Sequence, residues 1–152
     1  MNLFAEHPEK DIVAVFEDNG RVAYAYLRKT GRIVGDVWLY NSRSTPIEPE
    51  WSNPANMPFL NPAKFVKQGV CLTAPAGAED VAFRWIDQEE GTLVVVLLRG
   101  QEIGVIGEGT QPGWAYLASK DGPCAKAMDG LPAAFFHFDS DRVTDTPAQC
   151  LS

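Results

Sequence analysis

A repeated pattern of short β-forming runs and tight turns constrains the fold of this chain most. The first three runs lie at 11–17, 21–28 and 33–40. The first of them ends in Asn19-Gly20, a dipeptide that favours hairpin turns because both residues tolerate positive φ. A second set of runs follows at 80–87, 92–99 and 103–106. Each set predicts a three-stranded antiparallel meander, so we expect a mainly β fold, with α+β as the alternative.

The two meanders share landmarks at a nearly constant offset. Asp11 recurs as Asp80, 69 residues later, and Gly20 recurs as Gly91, 71 residues later. A long period that occurs only twice indicates an internal duplication within one domain over 1–152, since solenoids need about three or more repeats. Chance similarity is the alternative, because all β-meanders draw on the same residue types.

The run Leu93–Leu98 is apolar at every position, which predicts a central strand covered on both faces. We expect one cover to be a short helix over 122–129. Asp121 would cap it, Pro123 would occupy its first turn and Gly130 would end it.

Three predictions concern the remaining C-terminal part of the chain. Strands are expected at 114–118 and 133–138, where aromatic and small apolar residues follow one another. The polar tail over 144–152 is expected to fray.

A proline-rich segment over 41–63 connects the two meanders. Its five prolines forbid both a helix and an internal strand: Pro46, Pro49, Pro54, Pro58 and Pro62. Irregular connections longer than about 12–15 residues are usually functional or disordered. Large apolar side chains in and beside this loop predict that it packs on the body of the domain: Trp51, Met57, Phe59, Leu60 and Phe65.

Charge and cysteine content exclude several classes of partner. The 152 residues include 20 Asp and Glu and 13 Lys and Arg, a net charge of −7 that repels nucleic acids and anionic lipid surfaces.

No apolar run is long enough to span a bilayer, and the N-terminal residues show no signal peptide. Cys71, Cys124 and Cys150 form no C-x-x-C motif, so we expect a cytoplasmic protein.

One candidate metal or acid–base site lies near the C-terminus. His137, Asp139 and Asp141 would share one face if the predicted strand continues, because side chains alternate along a strand. The only other histidine is His7, far away in sequence. A solvated strand end is the alternative interpretation, and it accounts for the same residues.

Recognisable catalytic motifs are absent from the sequence. The glycine-rich stretch 104–113 lacks the Lys-Ser or Lys-Thr of a phosphate-binding loop and leads into a strand. No G-x-S-x-G, H-E-x-x-H or EF-hand pattern occurs. We therefore assign no catalytic residue and expect no cofactor.

The distribution of charge favours a protein-binding module. Residues 79–108 contain seven acids and two bases, a net of −5, whereas 17–43 contain three acids and five bases, a net of +2. We expect a non-catalytic protein that docks on a basic protein surface, for instance an immunity or inhibitor protein that occludes a toxin or enzyme. Its predicted contact residues are aromatic anchors and acidic steering groups: Trp51, Phe59, Glu89, Glu90, Glu102 and Glu108.

An aromatic pocket is the alternative prediction. A small-molecule-binding or enzymatic domain would place its site under the proline-rich loop, lined by Tyr24, Tyr26, Trp38 and Trp114. A filled core with an exposed acidic patch would favour the docking protein, and an aromatic cavity with converging polar groups would favour the pocket. The sequence does not predict the oligomeric state, although an edge strand could pair with a second copy.

Overall fold

The structure, a computed structural model, describes residues 1–70, 72–131 and 142–150 and is mainly β. The first sheet contains β1 (Asn2–Glu6), β2 (Ile12–Asp18), β3 (Val22–Lys29) and β4 (Arg32–Asn41). The second sheet contains β5 (Val81–Gln88), β6 (Gly91–Leu98), β7 (Gln101–Gly107), β8 (Trp114–Ala115) and β9 (Lys126–Ala127). Two C-terminal strands, β10 (Val143–Pro147) and β11 (Gln149–Cys150), extend the sheets to β11-β1-β2-β3-β4 and β10-β5-β6-β7-β8-β9.

Both predicted meanders are confirmed, one in each sheet. Strands β2, β3 and β4 pair antiparallel in sequence order, and so do β5, β6 and β7. The hairpin after β2 turns at Gly20, which has a φ of 84°. The Asn19 side chain accepts the backbone N–H groups of Arg21 and Val22, so the turn residues satisfy their own backbone.

The inner faces of the two sheets share one hydrophobic core. Phe16 and Leu27 of the first sheet and Phe83 and Trp85 of the second are fully buried in it. Each such side chain contributes about 1.5–3 kcal/mol through burial. The sheets approach so closely at Gly35 that an added Cβ would lie 2.4 Å from the Cγ2 atom of Ile106, so the contact requires a glycine.

Strand β6 is buried on both faces, as its continuous apolar run predicts. Val94, Val96 and Leu98 belong to the shared core. Leu93, Val95 and Leu97 of β6 point to the opposite face and form a second apolar cluster. The side chains that pack against them there include Ile86, Val105, Trp114, Met128, Leu131 and Val143.

The helix predicted over 122–129 is wrong. This segment forms β9 and a 3-10 turn at Met128–Gly130 instead. A tertiary hydrogen bond holds the backbone of this segment extended: the backbone N–H of Trp38 donates to the Cys124 carbonyl at 3.0 Å. The Asp121 carboxylate accepts the Ala127 N–H at 2.9 Å and stabilises a turn, not a helix N-terminus.

The C-terminal part of the chain differs from prediction in two further ways. The described part of the tail expected to fray, residues 144–150, contributes to β10 and β11, which pair with β5 and β1. The Trp85 indole N–H donates to Thr146 Oγ1 at 3.1 Å. The strand expected over 114–118 is confined to β8, with one further bridge from Val66 to Ala118. The strand expected over 133–138 lies outside the described residues. No helix in the described ranges could cross a membrane.

A histidine joins the ends of the two sheets. The buried His7 ring accepts the backbone N–H groups of Glu9 and Lys10 at Nδ1, so Nε2 donates to the Asp87 carboxylate at 2.9 Å. Burial alone would raise the pKa of Asp87, but hydrogen bonds with His7, Thr92 and Lys10 hold it below its ordinary value. This contact is structural, because its groups are paired with one another.

Candidate functional site

The proline-rich loop packs on the outer face of the first sheet, the face that points away from the shared core. Leu60 is buried on this face, and Trp51 and Phe59 of the loop pack against the apolar residues around it. The Trp51 ring also contacts the Phe65 ring, with centroids 6.0 Å apart. Met57 does not pack in this way, since it is 65% exposed.

Arg21 fixes the middle of the loop. Its guanidinium donates to the carbonyls of Asn56 and Pro58, at 3.1 and 3.0 Å, and to both carboxylate oxygens of Glu50. Glu50 in turn accepts the Leu60 N–H at 2.7 Å. One arginine fork therefore holds three points of the loop, a geometry that a lysine cannot reproduce.

Two further side chains fix the end of the loop. The Asn41 amide accepts the Trp38 indole N–H and the Asn61 backbone N–H, and it donates to the Asn61 carbonyl at 2.9 Å. The Tyr24 hydroxyl donates to the Phe59 carbonyl at 2.7 Å. The loop is therefore a built wall, which reduces the ordering that a ligand would have to impose.

A groove of about 410 Å³ lies between this wall and the sheet. The strands contribute Tyr24, Tyr26 and Asp36, the loop contributes Trp51, Met57, Pro58 and Phe59, and Pro123 and Cys124 complete the lining. Small-molecule sites typically measure about 300–1,000 Å³ and are mostly apolar with a few polar groups. The groove has this size and composition.

Strand alternation brings the groove's aromatic and acidic side chains together. Tyr24 and Tyr26 stand two residues apart on one face of β3, and their rings stack with centroids 6.1 Å apart. Asp36 on β4 is the direct cross-strand partner of Tyr26. Residues directly opposite in an antiparallel pair are neighbours, so the carboxylate lies beside the stacked rings.

Asp36 is half-buried, and its backbone N–H and C=O pair with Thr110 and Gly113. Its carboxylate, by contrast, has no hydrogen bond or ion pair with any residue that the structure describes. Burial raises its pKa above the ordinary value. Most half-buried carboxylates are hydrogen-bonded or paired, so an unpaired one in a groove marks a candidate site.

The other titratable groups of the groove stay neutral near pH 7. Burial, reinforced by Glu17 and Asp36, raises the pKa of Tyr26 to about 12, and burial raises the pKa of Tyr24 further. Burial also raises the pKa of the Cys124 thiol. A protonated thiol is a poor nucleophile, so these groups are suited to hold a ligand.

The structure separates the four residues of the predicted aromatic pocket. Tyr24 and Tyr26 line the groove. Trp38 pairs with Tyr24 in the ladder but is fully buried, so it supports the groove without lining it. Trp114 lies in the second apolar cluster, with the Lys126 ammonium 5.0 Å from its ring.

The predicted docking residues also fall into separate groups. Trp51 and Phe59 line the groove. Glu102 pairs with Arg84 at 3.4 Å and Glu108 with Lys29 at 3.3 Å. Glu89 and Glu90 are exposed in the turn between β5 and β6. Bases of this chain therefore offset the charge of two of the four acids.

The candidate metal site of His137, Asp139 and Asp141 lies outside the described residues. Within 1–70, 72–131 and 142–150, no group of three or more His, Cys, Asp or Glu could hold a metal ion.

Sequence analysis missed several lining residues: Asp36, Met57, Pro58, Pro123 and Cys124. One signal was available, because Asp36 is a lone acid inside the apolar run of β4.

Comparisons with family models, with curated proteins and with solved structures find no match to this chain. Any functional assignment therefore depends on the geometry and chemistry of the groove.

Proposed function

We propose that this protein is a non-catalytic binding protein that recognises a small ligand in the groove beneath its proline-rich loop. One observation carries the proposal: Arg21, Asn41 and Tyr24 fix the loop to the sheet at several points, and an aromatic groove of about 410 Å³ still stays open between the loop and the sheet. A loop without a ligand-binding role would gain stability by closing such a space.

The chemistry of the lining supports binding over covalent catalysis. Tyr24, Tyr26 and Cys124 are neutral at pH 7, because their ordinary pKa values already lie above 7 and burial raises them further. Aromatic faces and neutral hydrogen-bonding groups hold and orient a ligand, whereas an activated nucleophile needs a lowered pKa or an adjacent base. We place this activity in a reducing cytoplasm, which is compatible with the free thiols of Cys124 and Cys150.

Docking of a basic protein partner, as by an immunity or inhibitor protein, stays a prediction. The exposed Glu89 and Glu90 support it, and the ion pairs of Glu102 and Glu108 weaken it. In both interpretations Trp51 and Phe59 contact the bound species. The groove therefore gives the sharper experiment.

The proposal is tested by mapping amide shifts of the labelled protein against a library of neutral, cationic and anionic fragments. We expect ligands to shift the backbone amide signals of β3, β4, Met57 and Phe59 selectively. Met57→Trp should fill the open edge of the groove and abolish these shifts. The matched control is Ile47→Trp, at a residue of the same loop that is 82% exposed and does not line the groove.

Two results would contradict this function. Fragment shifts that map consistently elsewhere would assign the binding to another surface. Equal loss of binding in both tryptophan variants would mean that the effect does not arise from filling the groove.

A further inference from the structure

The unpaired acid in the groove indicates which class of ligand fits it. Asp36 presents a half-buried carboxylate with no partner among the described residues. A partly desolvated anion is costly unless an opposite charge or hydrogen-bond donors meet it. A ligand with a positive group would supply that counter-charge on binding.

The aromatic walls favour the same class. The Tyr26 ring is the cross-strand neighbour of Asp36 and stacks with the Tyr24 ring, and Trp51 belongs to the lining that the loop contributes. A cation over an aromatic face is attracted by the negative charge on that face, and the attraction is stronger when the pair is shielded from water. Aromatic cages are used in this way to recognise alkylammonium groups.

The lining of the groove contains no cationic side chain that could offset the charge of Asp36. In addition to burial, the negative charges of Glu17 and Asp36 raise the pKa of Tyr26. Burial and the charges of Asp36 and Glu50 likewise raise the pKa of Cys124. Arg21 is engaged with Glu50 and with carbonyls of the loop. The chain's net charge of −7 adds a long-range attraction for cations.

The nearby lysines are engaged with an aromatic ring outside the groove lining. The ammonium groups of Lys64 and Lys120 lie 5.0 and 5.3 Å from the centroid of the Phe65 ring. Neither lysine lines the groove. An anionic ligand would therefore meet Asp36 without a compensating cation from the lining.

We propose that the groove binds a small organic cation, with its ammonium or guanidinium group against Asp36 and between the rings of Tyr24, Tyr26 and Trp51. The ligand's apolar part contacts Phe59 and Met57 at the loop. This inference rests on the proposed function, because it names the ligand class of the same groove.

The experiment compares probes of matched shape and different charge. Choline and butylguanidinium are the cations, 3,3-dimethylbutan-1-ol is the neutral isostere of choline, and 3,3-dimethylbutanoate is the anion. Titrations followed by amide shifts should show cations binding at least about tenfold more tightly than the alcohol, with no saturable binding of the anion. Shifts should concentrate at Tyr26 and Asp36.

Matched variants separate local charge from net charge. Asp36→Asn keeps the side chain's size and should weaken cation binding by about tenfold or more while leaving alcohol binding unchanged. Glu79→Gln removes the same charge from an exposed 3-10 turn before β5 and should change cation affinity by less than about twofold. Tyr26→Ala should weaken cation binding more than the equivalent change at Tyr116, a half-buried tyrosine that does not line the groove.

Each remaining outcome overturns a defined statement. If the alcohol or the anion binds in the groove as tightly as choline, or if Asp36→Asn has no effect, the cation inference is wrong and the proposed function stands. If no probe and no library fragment shifts the groove amides, both are wrong. If an end-blocked Gly-Arg-Gly peptide binds there and the free cations do not, the assignment to a small molecule is wrong.

Discussion

The outer faces of the two sheets differ more than their strand order does. On the first sheet, Tyr24, Tyr26 and Asp36 face the groove under the proline-rich loop. On the second sheet, the outward residues of β6 form an apolar layer with Met128 and Leu131. One meander supports an open groove, and the other is sealed.

Side-chain alternation explains this difference. Strand β3 places Ala25 and Leu27 on the same face as Phe16 of β2 and the two tyrosines on the opposite face, so its faces differ in size and polarity. Strand β6 is aliphatic from Leu93 to Leu98, so both of its faces need an apolar cover. The comparison teaches that the meander specifies the fold, and that the outward residues decide whether a face binds a ligand or completes a core.

The largest expected effect comes from placing a charge on each outer face. Val95→Asp would bury an unpaired carboxylate among Leu93, Leu97 and Trp114, at a residue that is 6% exposed. We expect it to lower the free energy of unfolding by about 3–5 kcal/mol. Val13→Asp alters the half-exposed face of β2, beside Arg28, and should cost about 1 kcal/mol or less.

Chemical denaturation of both variants measures this contrast. Similar losses of unfolding free energy would mean that the two faces are equally buried, and the comparison of open and sealed faces would then fail. Retained cation binding in Val13→Asp would show in addition that its face stays folded.

A smaller effect is expected from the side chain that holds the groove wall. Arg21→Ala leaves Glu50 without its partner, with the Glu50 side chain only 18% exposed. We expect the free energy of unfolding to fall by about 1–3 kcal/mol. We also expect faster hydrogen exchange at the Leu60 backbone amide, which donates a hydrogen bond to Glu50. Arg21→Lys should be intermediate, because it keeps the charge but cannot reach all three points of the loop.

The control for this variant is Arg32→Ala, at an exposed arginine at the start of β4. It removes the same charge and should leave Leu60 exchange unchanged. If Arg21→Ala destabilises the protein without changing that exchange, Arg21 acts on the sheet and not on the loop.

Local sequence signals predicted the strands because the signals and the tertiary structure agree. Asn19-Gly20 ends β2, and the uninterrupted apolar run of Leu93–Leu98 becomes a strand covered on both faces. The helix signals around Pro123 failed because backbone groups of that segment pair with β4, at the bond from Trp38 to Cys124. No local pattern reveals such a partner.

The groove was predictable only in part for the same reason. Tyr24 and Tyr26 follow from alternation along β3, and the lone acid Asp36 within β4 could have been recognised as their neighbour. Pro123 and Cys124 enter from a segment that is distant in sequence, so only the tertiary structure brings them there. Trp114 shows the opposite error: its aromatic side chain suggested a pocket residue, but its strand places it in the second apolar cluster.

The smallest effect is expected at Asp36 itself, and it separates stability from function. Burial raises the pKa of Asp36 in the folded protein above its ordinary value of 3.8, so ionisation opposes folding. Its contribution to stability is complete below the unfolded-state pKa and is lost as the pH rises through the raised folded-state pKa. Asp36→Asn should therefore melt at a higher temperature than the native protein at pH 7 and at a similar temperature at about pH 3.

Thermal melts across this pH range check the sign, with Glu89→Gln as the control for net charge. If the native protein melts at a higher temperature than Asp36→Asn at pH 7, the carboxylate has a stabilising partner in the folded chain. The argument that the groove needs a cationic ligand to pair with Asp36 would then fail. If Asp36→Asn instead melts at a higher temperature at pH 7 and binds choline more weakly, the Asp36 carboxylate lowers the stability of the first sheet and is needed to bind the ligand. On the sealed face, where Val95 occupies an outward position, a carboxylate has no such use and only destabilises the fold.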